Sequence, residues 1–458
     1  MATAIQFVDE VTVESPRETL SERTMARLYF ASFWAIIFTG AVRKWMFPGV
    51  SAFYLLQDVP IGIAYVCALW TGLYVRGYLL IGILAMSVLL SLKAIFQIVV
   101  SGLSAFVATV GLHNYLFYLP IMLAFPICLI PKYRKKFIWW NLMLSLPMCL
   151  LVIAQAKLPK SHWVNKTSQG DAFGLPGVDV ARVTGTFNFT VFYGIWVSIA
   201  VALCVGEWLL PKWRRSIRRT WLLILCTFAV NVCYLISGSR SAIFLAAAAI
   251  AGGFVASVVV GSTRAMLTIG GICLLLPLGA AATYFISPTE FDTVKDRLTG
   301  DSGKADAESR FQEGLIGWAT EPKFSFLGAG IGMGVDAAHV GDADTYNFTY
   351  KLSETDTVRT VMELGTLVGL VYMLARIALL VGMVFIAFGI VRGGSTPHVL
   401  PLSFCLLAQA YQGDLTRAAT MTASQVMVGY AFILSAYYYP DNETRLELPA
   451  SDSLMRSV

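Results

Sequence analysis

"TWLLILCTFAVNVCYLISGSRSAIFLAAAAIAGGFVASVVV", residues 220–260, holds two apolar runs parted by one polar turn, Ser-Gly-Ser-Arg. A hydrocarbon core about 30 Å thick takes about 20 apolar residues as a helix. The stretch therefore reads as two membrane spans, 220–237 and 241–261, joined by a tight turn. Arg240 stands where the second span begins. At mid-bilayer an arginine costs roughly 2.5–3.5 kcal/mol even on lenient insertion scales, so such a residue faces protein or water and suggests a functional site.

The pattern extends along the chain. Of 458 residues, 57% are hydrophobic and only 14% charged, with a mean hydropathy of +0.68; a soluble chain carries charge on about a quarter of its residues. Runs of span length recur at 28–47, 54–75, 78–100, 106–130, 137–156, 190–210, 220–237, 241–261, 265–286, 360–391, 398–413 and 422–439. The expected fold is an all-α polytopic membrane protein of about twelve transmembrane helices. Charges at Arg43, Lys44, Asp58 and Lys93 fall within some of these runs. The net charge of +6 is no nucleic-acid signal, because the basic residues form short clusters between apolar runs; the bilayer is the partner this composition implies. Eight cysteines without a CxxC pair, and four histidines without HExxH spacing, give no expectation of disulfide, metal or other cofactor.

Lysine and arginine in short loops set orientation. "PKYRKK" (131–136) and "PKWRRSIRR" (211–219), with Arg76, Arg264 and Arg392, all fall on the cytoplasmic side if the N-terminus does too. Residues 1–27 and 440–458 are then cytoplasmic tails, 28–286 carries spans one to nine with an outer loop at 157–189, 287–359 is a large periplasmic loop between spans nine and ten, and 360–439 carries the last three spans. A bacterial inner membrane with a periplasmic site is the expected location.

The outer segments differ in character from the spans. In "ADAESRFQEGLIGW" (305–318), Phe311, Leu315 and Trp318 share a helical face, away from Arg310 and Glu313. "GAGIGMG" (328–334) lacks both GxGxxG spacing and a following Lys-Ser/Thr, so it reads as a flexible turn that lets backbone approach something closely. In "SETDTVRTVMELG" (353–365), Asp356, Arg359 and Glu363 are spaced to pair along one face of a helix, with Glu354 just before them. "RVTGTFNFTVFYG" (182–194) brings Arg182 to the same side. Guanidinium groups present a planar fork suited to phosphate. Several at one membrane boundary would bind a lipid-linked diphosphate and stabilise it as a leaving group, while a carboxylate could take the proton from an attacking sugar hydroxyl.

Several segments resemble the O-antigen ligase and Wzy-type polysaccharide polymerase superfamily. "RVTGTFNFTVFYG" is similar to its Arg-x-x-Gly-Thr-Phe segment, "SGSRSA" (237–242) to its Ser-Arg turn, and "ESRFQEGLIGWATEPKFSFLGAGIGMG" (308–334) to its outer-loop Arg followed by Pro and Gly-x-Gly. "ETDTVRTVMELGTLVGL" (354–370) is similar to its His-Asn…Glu-x-Gly run, and "GAVRKWMFP" (40–48) to a segment of exopolysaccharide polymerase-like members. The resemblance spans mainly residues 180–375. It implies Arg240 and Arg310 as diphosphate-binding residues, with Arg182 orienting the donor and Arg359 and Glu363 in support. Glu354 stands where ligases place a functional histidine, a departure that favours a polymerase; Glu354 or Asp356 is then the base.

The implied function is a metal-independent, inverting glycosyltransferase. It would join undecaprenyl-diphosphate-linked repeat units, so the partners are a polyprenyl-diphosphate-linked oligosaccharide donor and acceptor. A chain-length regulator and a flippase are left open as further partners. A ligase handing finished glycan to another acceptor is the close alternative. A flippase or other transporter is the alternative of a different class, for which Asp58, Lys93, Glu207 and Arg376 would be the intramembrane charges; no internal repeat of the kind that builds transporters is evident.

Overall fold

Helix starts and stops in this chain are set by local chemistry that hydropathy does not report. The computed structural model describes residues 19–168, 170, 172, 181–210, 216–263, 265–267, 269–271, 281, 284, 285, 288, 292, 326–334, 356–411 and 420–441, without side chains at 51, 356, 410, 411 and 420–422. The described residues form thirteen helices: α1 Leu20–Ala41, α2 Asp58–Thr71, α3 Tyr78–Ser101, α4 Ala105–Leu116, α5 Ile121–Ala124, α6 Pro131–Lys157, α7 Thr190–Leu209, α8 Ile217–Ile236, α9 Arg240–Val260, α10 Asp356–Leu364, α11 Thr366–Arg392, α12 Val399–Tyr411 and α13 Thr420–Tyr438. A π turn (Val42–Met46) and 3₁₀ turns at Ser51–Gln57, Pro126–Cys128 and Trp163–Asn165 complete them.

Nine helical segments among the described residues are long and apolar enough to cross a membrane, and the architecture is that of a polytopic helical membrane protein. Most of the ninth expected span (265–286) and of the 287–359 loop lies outside the described residues. The eleventh expected span contains only a shorter apolar helix, Val399–Gln409.

Three boundaries differ from the hydropathy reading for identifiable reasons. α1 starts at Leu20 rather than 28, because Thr19 and Glu22 form a capping box: the Glu22 amide donates to Thr19 Oγ1 at 3.2 Å and the Thr19 amide to Glu22 Oε2 at 2.8 Å. The span expected at 106–130 breaks after Leu116, where Pro120 and Pro126 cannot donate to a continuing helix. The tenth span begins at Thr366, not 360, because Gly365 (φ 82°) separates it from α10.

The core is organised around α7, which is apolar on every side and buried almost end to end. It packs against α6, α8, α9, α12 and α13. Small residues bring α9 close to its neighbours: a side chain on Gly252 would come within 2.7 Å of the Leu400 carbonyl, and one on Gly253 within 2.4 Å of Val205. By contrast α3 turns most of its apolar surface outward, as a lipid-facing helix does.

Alternation of the helices sorts their connections to two ends of the bundle. One end carries residues 42–57, 102–104, 158–168, 181–189, 237–239, 326–334 and 365; it is called the loop end. The other carries residues 72–77, 129–130, 210, 216, 261–262 and 393–398, with Arg76, the 132–136 cluster, Arg218, Arg219 and Arg392; it is called the basic end. Arg134 is buried here as a structural group. Its guanidinium donates to the carbonyls of Leu129 (3.2 Å), Ser435 (2.9 Å) and Tyr439 (2.6 Å), capping the end of α13. Glu207 Oε1 and His398 Nε2 form a buried pair at 3.3 Å at the same end.

Candidate functional site at the loop end

At the loop end irregular backbone sinks below the helix ends. Non-helical backbone at membrane depth is tolerated only where protein satisfies its polar groups, and here buried side chains do so in two places.

The first is the segment that leads into α7. Gln155 on α6 receives the amides of Thr184 (3.1 Å) and Gly185 (2.9 Å) on Oε1 and donates from Nε2 to the Gly185 carbonyl (3.1 Å). Lys44, 3% exposed, reaches across from the π turn after α1 and donates to Thr184 Oγ1 (2.7 Å) and to the carbonyls of Gly185 (3.0 Å) and Phe187 (3.1 Å). Gly40 lies against this strand of backbone so closely that a Cβ would stand 2.3 Å from the Thr186 carbonyl. Arg182 is thereby held two residues before a fixed anchor. Asn188 is buried, yet its amide finds no hydrogen-bond partner among the described residues. Buried polar groups ordinarily have one, so this segment retains hydrogen-bonding capacity.

The second is the glycine loop. Residues 330–334 are buried, not a free turn. Ala329 donates to the Met362 carbonyl (2.7 Å) and Gly330 to that of Glu363 (3.2 Å), which docks the loop on the end of α10. Gln97 on α3 donates to the carbonyls of Leu327 (3.1 Å) and Glu363 (2.9 Å) and receives the Ile331 amide (2.9 Å); Lys93 also donates to Leu327. Gly332, at φ 88°, lies directly on α4: a Cβ there would come within 2.3 Å of the Val107 carbonyl, and one on Gly111 within 2.5 Å of the Gly332 nitrogen.

Glu363 closes this arrangement. Its Oε2 accepts from the Gly332 amide (3.0 Å) and the Tyr115 hydroxyl (2.9 Å), and its Oε1 from the Gly334 amide (2.7 Å). Burial pushes the carboxyl above its usual range, opposed by Arg359 one turn earlier and by these three donors. Arg359 and Glu363 are thus brought together, both lying against Gly334. The backbone of Asp356 opens α10.

Arg240 opens α9 behind the Ser237-Gly238-Ser239 turn, with Ser239 as its cap (Ala242 amide to Oγ, 3.5 Å). Arg182 before α7, Arg240 on α9, and Asp356, Arg359 and Glu363 on α10 therefore all belong to the loop end. Arg310 and Glu354 lie outside the described residues. Sequence reasoning missed Gln97, Tyr115, Gln155 and the role of Lys44. The partners named above are 29 to 266 residues away, and a single glutamine or tyrosine in an apolar run carries no local signal.

Comparison with models of known protein families and with curated protein sequences finds no match for this chain.

Proposed function

We propose that the protein is a membrane glycosyltransferase acting on lipid-linked glycan, a polysaccharide polymerase. One observation carries this reading. The described parts of four segments that resemble the ligase and polymerase superfamily, 182–194, 237–242, 326–334 and 356–370, gather at one end of the bundle, two of them on irregular backbone fixed from below. The positive-inside rule makes the basic end cytoplasmic, so the loop end is periplasmic.

In the proposed reaction the acceptor sugar hydroxyl attacks the anomeric carbon of the donor from the face opposite the diphosphate. The new C–O bond forms as the bond to the diphosphate oxygen breaks, and the hydroxyl proton passes to Glu354 or Asp356 as base. Arg240 and Arg310, with Arg182 orienting the donor, stabilise the charge on the departing polyprenyl diphosphate. Arg359 and Glu363 hold the floor of the site through the glycine loop.

The test is the product pattern of a deletion strain complemented with Arg240→Ala or Arg310→Ala. Loss of long glycan with accumulation of lipid-linked single repeats supports the polymerase. Lipid-linked long polymer indicates a ligase instead, and normal banding from both variants defeats the reading.

A transporter is favoured by a separate observation: acid–histidine pairs lie near both ends, Asp58 with His113 (3.1 Å) and Glu207 with His398 (3.3 Å). Such intramembrane pairs commonly serve proton or ion pathways. Accumulation of repeats on the inner leaflet of the deletion strain would select that reading.

A further inference from the structure

The proposed transfer leaves unused a cluster of polar side chains at the start of α2 and around the end of α4. His113 Nε2 lies 3.1 Å from Asp58 Oδ2, the Tyr118 hydroxyl donates to Asp58 Oδ1 at 2.5 Å, and Gln57 Nε2 donates to the Tyr118 oxygen at 2.9 Å. Both oxygens of the buried carboxylate are occupied, so the imidazole is held through one nitrogen. Its other nitrogen has only a long contact, 3.4 Å to Asn114 Oδ1.

This pair forms part of the wall of a groove of about 590 Å³ that is otherwise almost entirely apolar. Val59, Gly62, Ile63, Val66 and Cys67 supply one side at helical spacing, and Phe117 the other. From Leu55 in the preceding 3₁₀ turn the groove runs onto α2, which it follows from Asp58 to Cys67 for roughly 14 Å at 1.5 Å per residue. Its loop-end mouth lies beside a cation: Leu55 follows Tyr54, and the Arg43 guanidinium sits 4.7 Å above the Tyr54 ring.

A carboxylate–imidazole pair bordering hydrocarbon is costly unless something polar meets it. A bulk lipid chain would offer it nothing. An amphiphile with a long chain and an anionic head would match all three features: apolar walls, a hydrogen-bonding pair near the top, and an arginine at the mouth.

We infer that this groove seats the hydrocarbon chain of the lipid-linked substrate, with His113, oriented by Asp58, contacting the polar atoms where chain and head group join, and Arg43 facing the anionic head. The inference rests on the proposal that the substrate is a lipid-linked diphosphate. Asp58 and Tyr118 act as positioning residues for the imidazole.

Cys67 is a free, partly exposed cysteine in the groove wall and provides an internal reporter. The full chain in phosphatidylcholine nanodiscs is titrated with undecaprenyl diphosphate or with phosphatidylglycerol. Alkylation of Cys67 by N-ethylmaleimide is followed by peptide mass spectrometry, and bound lipid is counted by native mass spectrometry. Undecaprenyl diphosphate should slow Cys67 labelling at least about tenfold at concentrations where phosphatidylglycerol does not. Two variants should each weaken its binding about tenfold, the scale of one lost polar contact or a blocked groove. One is His113→Gln; the other is Gly62→Phe, where an added Cβ meets nothing within 4 Å and the ring fills open space. Equal protection by phosphatidylglycerol overturns the inference, as does wild-type binding by both variants. If undecaprenyl diphosphate still binds but leaves Cys67 unprotected, the groove assignment fails and the transferase reading stands. If it does not bind at all, both fail.

Discussion

Replacing Gly332 with alanine tests whether the glycine loop is a fixed part of the loop end. The residue sits at φ 88°, and its Cβ would approach the Val107 carbonyl to 2.3 Å and the Gly111 backbone to 2.9 Å. Left-handed backbone costs an L-residue about 1–2 kcal/mol, and forcing a methyl group into a filled contact costs about 1–3 kcal/mol more. The neighbour here is helix backbone, which cannot swing aside, so the loop must lift and give up its hydrogen bonds to Glu363. The summed penalty of about 2–5 kcal/mol predicts amide exchange across 326–334 faster by no less than about thirtyfold, at 1.36 kcal/mol per factor of ten. Hydrogen–deuterium exchange in nanodiscs measures this directly. Gly111→Ala should loosen the same loop from the α4 side, and the two effects should not add, because either change alone breaks the one contact. Gly382→Ala, on α11 with open space around it, should leave exchange at the loop unchanged. Wild-type protection of residues 326–334 in Gly332→Ala would refute the close docking on α4.

Three further outcomes follow from the same structure. Lys44→Met removes the donor to Thr184 Oγ1 and the Phe187 carbonyl and leaves the Gly185 carbonyl to Gln155 alone; it should cost about 2–4 kcal/mol and raise exchange at 182–189 while leaving 326–334 protected. Arg134→Met removes the guanidinium donor from the carbonyls of Leu129, Ser435 and Tyr439, so limited proteolysis near residues 435–441 should become fast, again for about 2–4 kcal/mol. Burial holds the Glu363 carboxyl above its ordinary value of 4.5. A raised acid contributes its stability below that ordinary value and loses it as pH rises through the raised one. Loop exchange at 326–334, corrected for intrinsic rates, should therefore speed up on going from acid to neutral pH, and Glu363→Gln should flatten that profile.

The all-helical membrane architecture was legible because long apolar runs between basic clusters admit few other folds. Span limits were less so. The Thr19–Glu22 box, Pro120, Pro126 and Gly365 move boundaries by several residues without altering the hydropathy of a window. The polar anchors escaped for a different reason. Lys93 and Lys44 look like defects in spans until their acceptors, the carbonyls of Leu327 and Phe187, are known. The glycines of "GAGIGMG" signalled close approach, but not that Gly111 and Gly365 were the partners. Likewise the histidines carried no motif, since His113 meets an aspartate 55 residues away and His398, in the turn before α12, a glutamate on α7.

The distribution of buried polar side chains also bears on the choice between a transferase and a transporter. At the loop end Lys44 and Gln155 join α1 and α6 to the segment before α7, while Lys93, Gln97, Tyr115 and Glu363 join α3 and α4 to the glycine loop and α10. Each side chain bridges elements far apart in sequence, and each partner is backbone or an oriented side chain. A rocking transporter needs two arrangements of nearly equal free energy at such a boundary. Parting these elements would expose many backbone groups at membrane depth, each costing about 1–3 kcal/mol when unsatisfied, so a second state would need an equally complete set of acceptors elsewhere. Proposed transfer chemistry has the opposite requirement, because its arginines and carboxylates must stay in place while substrate comes and goes.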